Sequence, residues 1–215
     1  MIAKSTGYCL SWPRVAEVGL TKQVPPVEYT SATGLALSVI DDRQRVKQGK
    51  PPNFIGVAHG VFGIPTDWRI KPVLAVEEGD EDRDLAEFLR HRLSSGFTGR
   101  GWNAVEVALD HIPDATAART LIEQHHVGKL LILQLTEWFF SINLSWVTAF
   151  NFDTDTTVLV YSGTGEKAFE KRFAERDVVD AEADQSYQNH ILLAYREQLA
   201  QILNDPEVKQ ALTAP

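Results

Sequence analysis

Apolar residues recur along this chain with two periods, one of about two residues and one of about 3.6, and the switches between them lay out strands and helices. Leu35, Leu37 and Val39 alternate with Ala36, Ser38 and Ile40, which predicts a short strand running into the charged cluster Asp41-Asp42-Arg43. The glycine-punctuated run from Phe54 to Pro65 reads as a ribbon or an irregular loop. Helical spacing then takes over: Leu85, Phe88, Leu89, Leu93 and Phe97 share one face of a helix expected from Asp80 to about Phe97, with acids in its first turn. Trp102 to Leu109 alternates as a strand. Asp114 is a good N-cap for a second helix carrying Ala118, Leu121, Ile122 and His125 on one face, and Gly128 ends it.

The most apolar run, Lys129 to Phe140, predicts a central strand. Asn143 to Ser162 alternates almost throughout and reads as one long, bent strand, with a turn at Asp153-Thr154-Asp155 as the alternative. Gly163-Thr164-Gly165 predicts a hairpin turn into a strand from Lys167 to Glu175. A third helix is expected from about Asp184 to Leu203, ended by Asp205-Pro206, with a short tail helix from Glu207 to Leu212. Residues 1–34, interrupted by Pro13, Pro25 and Pro26, read as an extended N-terminal arm, and 35–215 as one α+β domain. The expected architecture is a mostly antiparallel sheet with the two long helices packed on one face and an extra helix connecting two strands.

Charge changes this picture only locally. The 215 residues carry 21 Lys and Arg against 29 Asp and Glu, a formal net charge of −8, which argues against general affinity for nucleic acid or an anionic membrane face. Residues 77–84 hold six acids and one arginine and residues 175–184 five acids and one arginine. The acidity therefore sits at the entrances of the two long helices, where the helix dipole favours it. No stretch approaches the roughly 18 apolar residues that span a bilayer, and Met1 to Leu20 lacks the apolar core of a secretory leader. The chain as written is expected to be cytoplasmic, or at the periplasmic face of the envelope if a leader precedes it.

Candidate chemistry is sparse. The single cysteine, Cys9, excludes an internal disulfide and a cysteine-built zinc site. The six histidines, at 59, 91, 111, 125, 126 and 190, form no metal-ligand spacing, and no metal or cofactor is expected. Gly56, Gly60 and Gly63 lack the ending of a phosphate loop, and no serine sits in a nucleophile elbow, so no catalytic residue is assigned. The acidic run at 77–84 lacks the alternating ligand spacing of a calcium loop. What does stand out is aromatic density: Trp138, Phe140, Trp146, Phe150 and Phe152 lie on neighbouring strands, either as core or as a face for an apolar ligand or protein partner.

The order of these elements resembles that of YajG-like bacterial envelope lipoproteins. The matching pieces are ALSVIDDR (36–43), LAEFLRHRLSSGFTGRGW (85–102), LLILQLTEW (130–138), NLSWVTAFNFDTDTTVLVYSGTGE (143–166) and the helix to Leu203 followed by DPEVKQAL, covering about Leu35 to Leu212. The resemblance implies an envelope protein, periplasmic or at the outer membrane, with no catalytic residues to carry over, and it gives Cys9 the place of a lipid acceptor. Thr6-Gly7-Tyr8 stands before Cys9 where such proteins have small residues, and the helix after Asp114 stands as an insertion. The leading expectation is a non-enzymatic envelope protein that binds a protein partner or apolar ligand. A cytosolic module that self-associates through a sheet edge is the alternative. A third reading is an enzyme that gathers Asp41, Asp42, Arg43 and His59.

Overall fold

The computed structural model describes residues 23–60, 63–75, 77–143, 149–180 and 186–214. Its strands are β1 (Leu35–Asp41), β2 (Phe54–His59), β3 (Pro65–Arg69), β4 (Ala104–Glu106), β5 (Lys129–Asn143), β6 (Ala149–Tyr161) and β7 (Lys167–Asp180). The helices are α1 (Leu85–Gly99), α2 (Ala115–Gln124), α3 (Tyr187–Asn204) and α4 (Pro206–Thr213), with short helical turns at Gln44–Lys47, Ile70–Val73 and Asp80–Asp82.

β5 is the spine of a seven-stranded mixed sheet. Beside its first half runs β1, parallel, from Leu35 opposite Lys129 to Asp41 opposite Leu135, with β4 parallel on the far side of β1. Beside its second half, on the same edge, runs β2, parallel, from Gly56 opposite Phe140 to His59 opposite Asn143. β3 lies antiparallel outside β2. The other edge of β5 is taken along its length by β6, and β7 pairs antiparallel with β6 in turn.

The mostly antiparallel sheet read from the sequence is therefore wrong. Every strand pairing within the β4-β1-β5-β2 centre is parallel. The reason is that β1, β4 and β5 are joined by crossovers through α1 and α2, and a helical crossover returns the chain in the same direction. A sheet so connected is covered on both faces. Leu37, Val39, Leu131 and Leu133 pack with α1, α3 and α4 in the larger core, whereas Ala36, Ile40, Leu130 and Ile132 pack with Ala118 and Ile122 of α2 in a second one. The two long helices share the first face and the connecting helix holds the other.

Asp114 caps α2 as the sequence suggests. α1 starts at Leu85 rather than Asp80, because Asp84 caps it in a capping box with Glu87, and α3 starts at Tyr187 rather than Asp184, capped by Ser186; each cap contributes about 1 kcal/mol. The Ser162–Glu166 turn closes the β6–β7 hairpin. β6 runs unbroken through Asp153-Thr154-Asp155, so that turn does not form. Asn143 belongs to β5 rather than to β6. The Phe54–Pro65 segment supplies β2 and the first residue of β3, and only Ala104–Glu106 of the 102–109 run pairs as a strand.

The break between β1 and β2 is filled by one side chain. Asp42 N–H still bonds Leu135 O at 2.8 Å, and the chain then leaves β5 until Gly56. Arg43, 1% exposed, reaches into the gap. Its Nε and Nη2 donate to the Asp41 carboxylate at 2.7 Å each, Nη1 to Phe54 O at 2.6 Å and Trp138 O at 3.3 Å, and Nη2 also to Pro52 O at 3.0 Å. The five N–H donors of the guanidinium are thereby used. Arg43→Met leaves the Asp41 carboxylate and three carbonyls without their donor. It is expected to lower unfolding free energy by about 3–5 kcal/mol, with a smaller loss for Arg43→Lys, read by urea denaturation.

Candidate functional site

Before β1 the chain crosses the larger core as an extended strap. Gln23, Pro25, Val27 and Tyr29 are buried while Pro26, Glu28 and Thr30 are exposed, the period of two expected of extended backbone. Polar bonds fix it at several points. The Tyr29 hydroxyl donates to Leu203 O at 2.9 Å, Trp102 Nε1 donates to Tyr29 O at 3.0 Å, and Asn204 takes Glu28 N–H at 3.0 Å while giving its amide to Pro26 O at 2.8 Å. Gln23 Oε1 accepts from Arg92 at 3.3 Å.

Arg92 itself anchors the segment that leads into α1. It is 2% exposed and pairs with Asp80 at 2.7 Å, which is wholly buried, and with Glu77 at 2.6 Å; Arg83 also binds Asp80. Part of the acidic run at 77–84 is thus held by arginines, and Asp84 is spent on the cap. Among the described residues no group of three or more His, Cys, Asp or Glu is arranged to hold a metal ion, and no helix is long and apolar enough to cross a membrane.

Between the strap and the second half of α1 lies a groove of about 430 Å³. Strap residues Val24, Pro25, Pro26 and Val27 form one wall, Ser95, Gly96 and Gly99 of α1 the other, and Arg100 and Arg196 complete it. Close contact at its floor depends on Gly96, where a β-carbon would sit 2.6 Å from Pro25 O. A groove with apolar walls and two guanidinium groups suits an apolar chain that carries a carboxylate. Arg196 shares its charge with Glu197; Arg100 is exposed.

The residues singled out from the sequence go elsewhere. Trp138, Phe140, Phe150 and Phe152 are at most 1% exposed and form an aromatic stack under α3, with Tyr195 lying 5.2 Å from Trp138 and 5.4 Å from Phe152 between ring centres. Burial pushes the Tyr195 phenol well up from its ordinary value. Trp146 and Cys9 lie outside the described residues. Asp41 and Arg43 bind each other, and Asp42 pairs with Lys47 at 2.7 Å and accepts from Gln134 at 2.8 Å. His59 stands at the far end of β2, opposite Pro65 and Asn143. The structure does not gather these four into one site. The groove, by contrast, was invisible in sequence because its walls come from positions near 25, 97 and 196, and each stretch had a plainer reading as arm or helix end.

No protein-family model matches the chain, and no curated protein does. Solved structures with a similar chain path include a protein from Xanthomonas campestris of family model DUF330, at 8% identity and TM-score 0.46, covering 88% of this chain and 91% of that one. Lipoprotein GNA1162 from Neisseria meningitidis is 9% identical over 80% of this chain and 99% of its own, with TM-score 0.32. The LpoB C-terminal domain from Salmonella enterica is 12% identical over 73% of this chain and 91% of its own, with TM-score 0.32. The structural neighbours thus include lipoproteins and an uncharacterised family.

Gly96→Ala is expected to lift the strap from α1 and cost about 1–3 kcal/mol, with faster proteolysis within residues 23–29. Gly99→Ala, which meets open space, leaves both unchanged. The Lys47 ammonium bonded to Asp42 holds that carboxyl below its ordinary value of 3.8. A depressed carboxyl stabilises the fold above the ordinary value and loses that contribution as pH falls through the lowered one. Asp42→Asn should therefore be less stable than the parent at pH 7, with the gap closing on acidification below about pH 4, as thermal melts at each pH will show.

Proposed function

We propose that this protein is a non-enzymatic, lipoprotein-like component of the cell envelope that binds a protein partner, and that the groove between strap and α1 receives an apolar segment of that partner bearing an acidic side chain. The observation that carries the reading is the groove: an apolar trough framed by Arg100 and Arg196. Arginine beside a desolvated apolar contact is a strong anchor for binding energy. The groove is also built on fixed elements, since the strap is tied to α3 through Tyr29 and Asn204. A site held in place before binding loses less entropy on association.

Trp138, Phe140, Phe150 and Phe152 act in this reading as the rigid floor beneath α3, and so position Arg196, rather than touching the partner. The envelope assignment is supported by the order of elements, which resembles the YajG-like lipoproteins; in this reading Cys9 takes the place of the lipid acceptor.

A photo-reactive amino acid placed at Ser95, in the gene with its natural upstream region, tests both parts. Irradiated cells are expected to give a dominant cross-linked partner in the envelope fraction. Gly99→Trp, which fills the trough, should reduce that product at least about tenfold, and Arg100→Glu should weaken it. A product that matches the one from the exposed control site Glu123 on α2, or that persists in Gly99→Trp, would overturn the partner reading. Recovery of the protein in the cytosol alone would overturn the envelope reading.

A further inference from the structure

The strand β7 is a long, open edge. It runs 14 residues from Lys167 to Asp180, and among the described residues it pairs with β6 alone. Unpaired edges invite another strand, and proteins usually guard them with charge. Charges of a single sign would repel a second copy in every register. Here the signs are mixed, in the order Lys167, Glu170, Lys171, Arg172, Glu175, Arg176, Asp177, Asp180.

We infer that β7 pairs antiparallel with β7 of a second copy of this chain about a two-fold axis through Phe173, joining two sheets into one. A two-fold axis perpendicular to the sheet keeps each side chain on its own face, so a residue can oppose only residues of the same parity. The axis must then pass through a residue. Centred on Phe173, Glu170 opposes Arg176 of the second copy, Lys171 opposes Glu175, Ala168 opposes Val178 and Phe173 opposes itself, each hetero-pair occurring twice. Within the paired span, residues 167–179, no like charges meet. Centres at 170, 171, 172, 175 and 176 place a charged residue opposite its own copy, and a centre at Ala174 places Arg172 opposite Arg176. Directly opposed like charges destabilise a strand pair and opposite charges favour it, so among the registers that pair seven or more residues of β7, charge complementarity selects one.

The apolar positions agree with that register. Val178 is 62% exposed in the single chain, and the pairing covers it with Ala168. Phe173 is only partly buried against the larger core, and the axis brings its two copies together over that margin, while Phe169 faces Asp177 of the second copy. Each chain enters with its ladder braced: Arg172 binds Asp155 and Arg176 binds Asp153 across from β6, and Lys171 binds Asp205 at 2.8 Å. Glu170 of the second copy would extend the Asp153–Arg176 pair rather than compete for a lone charge.

The test uses the full chain. Sedimentation equilibrium over roughly 1–100 µM is expected to show a monomer–dimer equilibrium. Glu170→Arg, an exposed change that sets Arg opposite Arg176 twice, should raise the dissociation constant at least about tenfold, with the thermal midpoint unchanged at concentrations where both proteins are monomeric. In a Cys9→Ser background, Phe173→Cys is expected to form a disulfide-linked dimer under mild oxidation, since directly opposed strand residues lie within disulfide reach, and Ala174→Cys is not. A monomer at every concentration, a Glu170→Arg protein that dimerises like the parent, or equal cross-linking at 173 and 174 would each overturn the inference.

Discussion

A parallel strand that stops half-way along its neighbour leaves backbone carbonyls facing a gap with no donor, and in this fold one guanidinium closes that gap. β1 ends at Asp41 and β2 takes up the same edge of β5 only at Gly56. Arg43 stands between them and serves carbonyls from two separate stretches, Pro52 and Phe54 on one and Trp138 on the other, while neutralising itself on Asp41. A buried charge is costly unless it is paired and fully hydrogen-bonded, and Arg43 meets both conditions with no donor to spare. The position of β2, and of β3 outside it, follows from that contact. The same bond to Trp138 O holds the strand whose side chain floors the aromatic stack under α3.

The second constraint is that the centre of the sheet is buried twice. β1 is buried at six successive positions from Leu35 to Ile40. That run was visible in sequence as near-continuous apolar character, the mark of a parallel strand covered on both faces. The alternation of Leu35, Leu37 and Val39 with Ala36 and Ser38 does not by itself tell a parallel strand from an antiparallel one. Ala36 and Ile40 pack with Ala118 and Ile122 of α2 on the second face. The body of α1, the Asp114 cap of α2 and the hairpin at Gly163–Gly165 were legible because each depends on contacts within a few residues, whereas the Asp84 cap was hidden among the acids at 80–82, which form a turn of their own. Arg43 was visible as chemistry but not as structure, since its partners lie up to 95 positions away. Gly56 likewise reads as a loop glycine. Its role is to let β2 approach β5, where a β-carbon would fall 2.3 Å from Phe140 O.

The groove belongs to the same class of hidden features. Its walls are separated by about 70 and 100 positions in the chain, and no period in any one of them signals the others. What brings them together is the C-terminal end of α3. Leu203 and Asn204 hold the strap through Tyr29, Glu28 and Pro26, and the tail helix α4 is fixed in turn by Lys129, whose ammonium caps Ala211 O at 2.7 Å and Ala214 O at 2.6 Å.

That helix end also holds the edge strand. Gln201 donates to Glu175 at 2.6 Å, and Asp205 accepts from Lys171 at 2.8 Å while capping α4 with its other oxygen. Residues 200–205 therefore set the strap on one side and β7 on the other, and every polar group named in that turn is committed to one of them. A loop tethered at a single point would let the groove wall move without the edge. A turn bonded in both directions gives each surface a fixed frame, which is what recognition of an extended segment and pairing of a strand in one register both require.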